Sequence, residues 1–112
     1  MEMQEAVAAL TALGHATRLA IFRLLIEAGP EGRMAGDIAV ALAVPAATLS
    51  FHLKDLSNVG LIRGESRSRF ICYRANFQAM NQLIEFLTRN CCVGADVSGC
   101  LPVTRCIVAT DV

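Results

Sequence analysis

Five cysteines are the residues best able to carry chemistry in this chain of 112 residues. Four of them, Cys91, Cys92, Cys100 and Cys106, lie near the C-terminal end with the spacing C-C-x7-C-x5-C, while Cys72 stands apart. No C-x-x-C is present, so a thioredoxin-like site is not indicated, and an odd number argues against a closed set of disulfides. In a reducing compartment such a cluster indicates metal binding or redox chemistry.

The four clustered cysteines leave three kinds of site open. Three thiolates with no nitrogen or carboxylate ligand suit a soft centre such as As(III) or Sb(III), which holds three sulfurs in a pyramid. All four thiolates together would make a tetrahedral Zn(II) or Cd(II) site. As a third possibility, the cysteines form disulfides and sense oxidation. Cys72 is interpreted as a small buried apolar residue, and His15 and His52 are not assigned as metal ligands.

Composition and charge limit what can position these cysteines. The chain is 54% hydrophobic with a net charge of zero, and its length allows one hydrophobic core. Charge is uneven, because residues 46–75 hold five basic and two acidic residues, net +3, whereas the segments on either side are net negative. A basic middle segment indicates contact with a polyanion. No stretch is apolar enough to span a membrane and no secretory signal is found, so a cytoplasmic protein is expected.

Hydrophobic periodicity predicts a mainly α fold with a small β-hairpin. Helices are expected at 3–13, 15–28, 35–42, 46–58 and 76–88, and strands at 61–65 and 70–75, with a loop at 31–34 and a turn at 66–69. Two short helices joined by a tight turn and followed by a basic hairpin are typical of a winged helix-turn-helix.

The helix at 46–58 is the predicted recognition helix. Leu49, Leu53 and Leu56 recur at helical spacing and should face the core, which leaves other side chains for the major groove. The hairpin arginines should reach phosphates or a minor groove. The DNA-binding residues predicted on the helix and hairpin are Thr48, Ser50, Phe51, His52, Lys54, Arg67 and Arg69.

An ordered set of motifs resembles the ArsR/SmtB family of metal-responsive repressors, over residues 6–88. The set comprises Ala16-Thr17-Arg18-Leu19, Ile38-Ala39, Leu42, Ser50-x-His52-Leu53, Leu56, Gly60-Leu61 and Tyr73-Arg74. The resemblance implies a homodimer that joins through its first and last helices and binds double-stranded operator DNA with an inverted repeat. Ala46 and Ala47 depart from the pattern, because polar residues are common at the start of this helix in the family.

The resemblance also bears on the inducer site. Family members with a cysteine pair in the first helix of the motif differ from this chain, whose residues 34–38 contain no cysteine, and residues 77–87 lack the histidine of the zinc sensors. Asn90-Cys91-Cys92 with a later cysteine looks like variant arsenic repressors with a C-terminal site. By that resemblance Cys91, Cys92 and Cys100 are the ligands and Cys106 is spare.

These observations predict two regions and one leading function. Residues 1–90 should form the DNA-binding and dimerisation domain, and residues 91–112 a cysteine-rich tail that carries the inducer site. The expected protein is a repressor of an arsenic-resistance operon that As(III) or Sb(III) releases from DNA. Alternatives are a repressor of the same fold that senses thiol oxidation or Zn(II)/Cd(II), and a metal-buffering protein. No catalytic motif is recognised, so an enzyme is not expected.

Overall fold

The computed structural model of the chain describes residues 1–93. These residues contain five α-helices, whose order agrees with the predicted one, and a short 3-10 helix at Gly29–Glu31. Their bounds are Met3–Leu13 (α1), Ala16–Ala28 (α2), Ala35–Leu42 (α3), Ala46–Asn58 (α4) and Phe77–Thr88 (α5). The last helix begins one residue later than expected, because Asn76 is its N-cap and accepts a hydrogen bond from the backbone N–H of Ala79.

The sheet has three antiparallel strands rather than the two of the predicted hairpin. They are Arg33–Met34 (β1), Ile62–Arg67 (β2) and Phe70–Ala75 (β3), in the order β1-β3-β2. The prediction of a loop at 31–34 was therefore wrong, because residues 33–34 pair with Tyr73 and Cys72 of β3. Gly32 permits this approach, since a Cβ there would overlap the carbonyl oxygen of Tyr73.

The wing is also tighter than the sequence suggested. β2 continues to Arg67, which lies opposite Phe70, so the turn consists of Ser68 and Arg69 alone. Ser68 has a φ of 60°, as two-residue hairpin turns require at their central positions. The shorter turn places Arg67 at the end of a strand and Arg69 at the tip.

The core lies where α2, α3 and α4 meet the sheet. Its largest fully buried side chains are Ile21, Leu25, Ile38, Leu56, Leu61 and Ile62. α1 joins this core through its alanines, Ala6, Ala9 and Ala12, while Val7 and Leu10 remain exposed. Small side chains allow α1 to approach α2 closely, which leaves the larger ones pointing away.

Candidate nucleic-acid interface and candidate metal centre

α4 has one buried and one exposed face, as the spacing of its leucines predicted. Leu49, Leu53 and Leu56 are almost completely buried. Pro45 precedes the helix as its N-cap residue with a φ of −58°, and its carbonyl oxygen accepts a hydrogen bond from the N–H of Leu49. Because successive residues turn by about 100° around a helix, these three leucines fix which residues of α4 face outward.

The outward face of α4 brings together four of the five residues predicted to bind DNA on this helix. Thr48, Ser50, Phe51 and Lys54 are all exposed. Phe51 is 73% exposed, although phenylalanine usually lies in a core. A hydroxyl pair, a phenyl ring and an ammonium group therefore share one surface that no other described element covers.

The fifth residue, His52, lies apart from this group on the edge of the core. Its ring centroid is 4.7 Å from that of His15, the N-cap residue of α2, whose own Nδ1 accepts a hydrogen bond from the N–H of Thr17. Burial lowers the pKa of His52 below its ordinary value, and the neighbouring His15 and Arg18 lower this pKa further, while Asp55 opposes the shift. His52 is therefore uncharged at neutral pH and packs against another helix.

An ion pair beside these histidines ties α2 to α4. Arg18 Nη1 lies 3.4 Å from a carboxylate oxygen of Asp55, and Arg18 Nε donates to the carbonyl oxygen of Ala12 at 2.7 Å. Arg18 thus holds the end of α1, the start of α2 and the recognition helix together. The sequence analysis treated Arg18 only as part of a family motif and did not predict this role.

The arginines of the wing differ in whether they form ion pairs. One carboxylate oxygen of Glu65 pairs with Arg67 at 3.3 Å and with Arg74 at 2.8 Å. Arg69 at the tip is exposed and forms no ion pair within residues 1–93. Glu65 was not predicted to matter. Its pair with Arg67 joins residues two apart on one strand face, whereas its pair with Arg74 depends on the register of β2 against β3, which the sequence does not show.

The first two clustered cysteines follow directly after α5. The N–H of Cys91 donates to the carbonyl oxygen of Thr88, the last residue of the helix, at 3.0 Å. Asn90 and Cys92 both adopt a positive φ, so the chain turns sharply here. The sulfur atoms of Cys91 and Cys92 lie 3.3 Å apart. Cys91 is a free thiol and Cys92 is disulfide-bonded.

A fit test for a metal or metalloid ion can be made on this pair. Two sulfurs bound to one ion at about 2.3 Å each are at most about 4.6 Å apart, and 3.3 Å meets that limit once Cys92 is reduced. The predicted ligands Cys100 and Cys106 lie outside the described residues. Within residues 1–93, no group of three or more His, Cys, Asp or Glu side chains is placed to hold an ion.

Cys72 lies at a buried position, as expected of a small apolar residue. It is buried in β3, and its thiol donates to the carbonyl oxygen of Glu31 at 3.5 Å. It is in the sheet, whereas the clustered cysteines follow α5. The expectation that Cys72 is a packing residue is therefore supported by its burial.

A second exposed surface is formed by α1 and α5, which pack against each other. We call it the α1/α5 face, defined by the exposed apolar residues Met3, Val7, Leu10, Ile84 and Leu87. Leu83 of α5, one helical turn before Leu87, is buried in the core. Beyond the helix, Arg89 pairs with Glu85 at 2.8 Å, and this hydrogen bond lowers the pKa of the Glu85 carboxyl.

Comparisons with known proteins agree with the geometry of α3, α4 and the wing. Residues 13–65 match the model of a family described as a helix-turn-helix domain. An ArsR-like transcriptional regulator from Rhodococcus sp. RHA1 is 29% identical, with a TM-score of 0.68, and the likeness covers 77% of this chain and 78% of that one. No curated protein matches the sequence.

Two more distant solved structures share the fold. A possible transcriptional regulator for arsenical resistance is 24% identical with a TM-score of 0.62, over 70% of this chain and 79% of that one. A homodimeric winged helix-turn-helix DNA-binding domain from Mycobacterium bovis is 24% identical with a TM-score of 0.60, over 77% and 84% of the two chains. None of the helices in residues 1–93 is individually long and apolar enough to cross a membrane.

Proposed function

Because this chain belongs to the ArsR/SmtB family of winged helix-turn-helix transcriptional regulators, we propose that it represses an arsenic-resistance operon and is released by trivalent arsenic or antimony. The inducer binds Cys91, Cys92 and Cys100. One observation carries the proposal: the sulfurs of Cys91 and Cys92 lie 3.3 Å apart, immediately after the helix that bears half of the α1/α5 face. An inducer bound to these cysteines therefore lies close to the surface expected to join two subunits.

The DNA-binding half of the proposal follows from the fold and its charges. α4 presents Ser50 and Lys54 on a face that the core leaves open, and Arg69 projects from the wing tip. Base edges are read by side chains in the major groove, while cationic side chains hold the phosphates. The helix supplies the side chains for the base edges, and the wing supplies a cation for the phosphates.

Dimerisation is supported by the α1/α5 face. Val7 and Leu10 on α1 and Ile84 and Leu87 on α5 are exposed apolar side chains on two helices that pack against each other. Large exposed apolar surfaces mark protein interfaces. The related Mycobacterium bovis domain is a homodimer. A two-fold dimer carries two recognition helices, so its operator is an inverted repeat.

The inducer acts by moving the segment that follows the C-terminal end of α5. Three thiols replace the three hydroxyl groups of arsenous acid and release three water molecules, so Cys100 must come to the pair at Cys91 and Cys92. Closing this loop repositions the segment that follows Thr88 and the α1/α5 face beside it. A hundredfold loss of DNA affinity requires a coupling free energy of about 2.7 kcal/mol, which repacking at an interface can provide.

Native mass spectrometry of the fully reduced protein tests the site. We expect a dimer that gains two arsenic atoms from equimolar arsenite and loses them in Cys100→Ser. Cys106→Ser is the matched control, since it removes a thiol from the same tail and should leave arsenic uptake unchanged. Arsenite added to a protein–DNA complex should lower DNA affinity about a hundredfold, measured by fluorescence anisotropy.

Other results would contradict the proposal in distinct ways. Uptake of Zn(II) but not of arsenite, with loss in Cys106→Ser, would identify a four-thiolate zinc or cadmium sensor. Arsenite uptake without any change in DNA affinity would remove the coupling, because linkage requires each ligand to affect the other. Metal uptake without DNA binding at low salt would indicate a metal-buffering protein.

A second candidate function has an observation in its favour, since Cys92 is disulfide-bonded. In that case the cysteines sense oxidation, and formation of a disulfide releases the DNA. Peroxide would then lower DNA affinity, dithiothreitol would restore it, and arsenite would have no effect on the reduced protein. The same anisotropy titration, with arsenite and peroxide in separate arms, distinguishes the two functions.

A further inference from the structure

The outward face of α4 carries a phenyl ring where hydrogen-bonding side chains would be expected. Phe51 is the most exposed of the five phenylalanines, at 73%, and Phe70 on the wing follows at 61%. An exposed phenyl ring forgoes the free energy of burial, about 25 cal/mol for each Å² of apolar surface. The fold provides no partner for Phe51 among residues 1–93, so its ring is open to a partner from outside these residues.

The direction of Phe51 is fixed by the core. Counting about 100° per residue, Phe51 lies nearly opposite the centre of the buried face formed by Leu49, Leu53 and Leu56. Ala47 precedes Phe51 by one helical turn and is also exposed. The centre of the outward face is therefore apolar, and Ser50 and Lys54 lie beside it.

Few side chains on this face can exchange hydrogen bonds with base edges. Ala46 and Ala47 have no polar atoms, and His52 packs against His15 at the edge of the core. The hydroxyls of Thr48 and Ser50 and the ammonium of Lys54 remain. Recognition of DNA by this helix must therefore include apolar contacts.

We propose that Phe51 reads the operator by contacting the C5-methyl groups of thymine in the major groove. The methyl group is the one apolar feature of a base edge there, and phenylalanine is among the side chains that contact it. The proposal rests on the DNA-binding function proposed above and adds its chemical basis of specificity.

The charges around Phe51 identify DNA as its partner rather than another protein chain. Lys54 and Asp55 both lie beside Phe51, but the carboxylate of Asp55 is paired with Arg18. Arg69 extends from the wing of the same DNA-binding unit and has no ion pair among residues 1–93. An apolar ring beside an ammonium group is suited to a methyl group that lies near phosphates.

Substitution of thymine by uracil in the DNA tests the proposal directly, because uracil lacks only the methyl group and pairs with adenine as thymine does. Duplexes bound by the reduced, full-length protein are enriched from a randomised pool. The enriched duplex is then synthesised with thymine or with uracil, and both affinities are measured by fluorescence anisotropy at one salt concentration.

We expect uracil to weaken binding by about fourfold for each contacted methyl group, from the usual gain of burying one such group. With one contact in each half of a symmetric duplex, the loss is about 15-fold. Phe51→Ala should bind thymine and uracil duplexes equally. Phe70→Ala is the matched control: it removes a similarly exposed ring from the wing, and it should preserve the preference for thymine.

The outcomes separate this proposal from the one on which it rests. Equal affinity of the wild-type protein for both duplexes, or a preference for thymine that survives in Phe51→Ala, would overturn the role of Phe51 while DNA binding stands. Failure to bind any duplex at low salt would overturn the proposed function as well. Circular dichroism of Phe51→Ala confirms that α4 is intact, as its exposed position predicts.

Discussion

Two surfaces of this molecule leave large apolar side chains in water, and they differ in what surrounds those side chains. On the α1/α5 face, two helices that pack against each other expose the apolar side chains of Val7, Leu10, Ile84 and Leu87. On α4, the exposed Phe51 lies between hydroxyl groups and Lys54. Several exposed apolar side chains on two packed helices suit a second copy of the same surface, whereas a single ring beside an ammonium group suits DNA. The comparison teaches that exposure alone does not identify a partner, while the neighbouring charges do.

The exposure of Phe51 is tested most directly within α4, where nearby residues face opposite ways. Leu53→Ala should lower the free energy of unfolding by about 2–5 kcal/mol, because it leaves a cavity in the core. Phe51→Ala should change it by only about 0.5 kcal/mol, as a surface substitution does. Urea unfolding measures both. Equal losses would mean that α4 is rotated from the orientation described.

The α1/α5 face is tested by placing a charge at its centre. Leu87→Glu should convert the dimer into a monomer and lower DNA affinity by about a hundredfold or more, because the two recognition helices no longer act together. Sedimentation equilibrium and fluorescence anisotropy provide the measurements. Gln78→Glu adds the same charge to the solvent side of α5 and should leave both properties unchanged. An intact Leu87→Glu dimer would place the interface elsewhere.

A smaller effect is expected at the wing, where Glu65 holds Arg67 and Arg74. Glu65→Gln should release one cation for a phosphate contact, which steepens the dependence of log affinity on log salt concentration by about 0.9. Glu27→Gln is the control, since Glu27 also pairs with an arginine but on α2. An identical slope in wild type and Glu65→Gln would show that neither Arg67 nor Arg74 gains a phosphate contact when the carboxylate is removed.

The smallest predicted effect concerns His52, whose burial lowers its pKa. The unfolded chain, with an ordinary histidine pKa of 6.5, then binds a proton more readily than the folded chain does. Uncharged His52 therefore makes its full contribution to the free energy of unfolding above pH 6.5. This contribution is lost as the pH falls towards the lowered pKa. Urea unfolding above and below pH 6.5 should show this decline, and His52→Gln should flatten it. A decline of equal size in the variant would assign it to another group.

The sequence predicted the elements with strong local signals. Both bounds of α3 agree with the prediction, and α4 begins directly after Pro45, which cannot donate the hydrogen bond that an earlier helical turn would need. The strand β1 was missed, because residues 33–34 have no pattern of their own and form a strand only by pairing with β3. Two residues cannot establish an alternation, so this strand depends on its partner.

The sequence identified which residues of α4 could bind DNA, but it was less successful in predicting which way each side chain faces. The positions of Leu49, Leu53 and Leu56 implied that Thr48, Ser50, Phe51 and Lys54 face outward. His52 was grouped with them, yet it contacts His15, a residue far away in sequence. Glu65 was overlooked because its pair with Arg74 depends on the register of β2 against β3. The roles of Cys100 and Cys106 stay predictions, since both lie outside the described residues.

The sequence by itself determined the order of the helices, the buried leucines of α4 and the position of the cysteine pair after α5, because periodicity, proline and glycine act over a few residues. Only the tertiary structure decided that α1 packs through its alanines, that His52 faces His15 and that Phe51 remains uncovered. These outcomes depend on which surfaces fit closely together. That fit is a property of several elements at once, and no local window of the chain contains it.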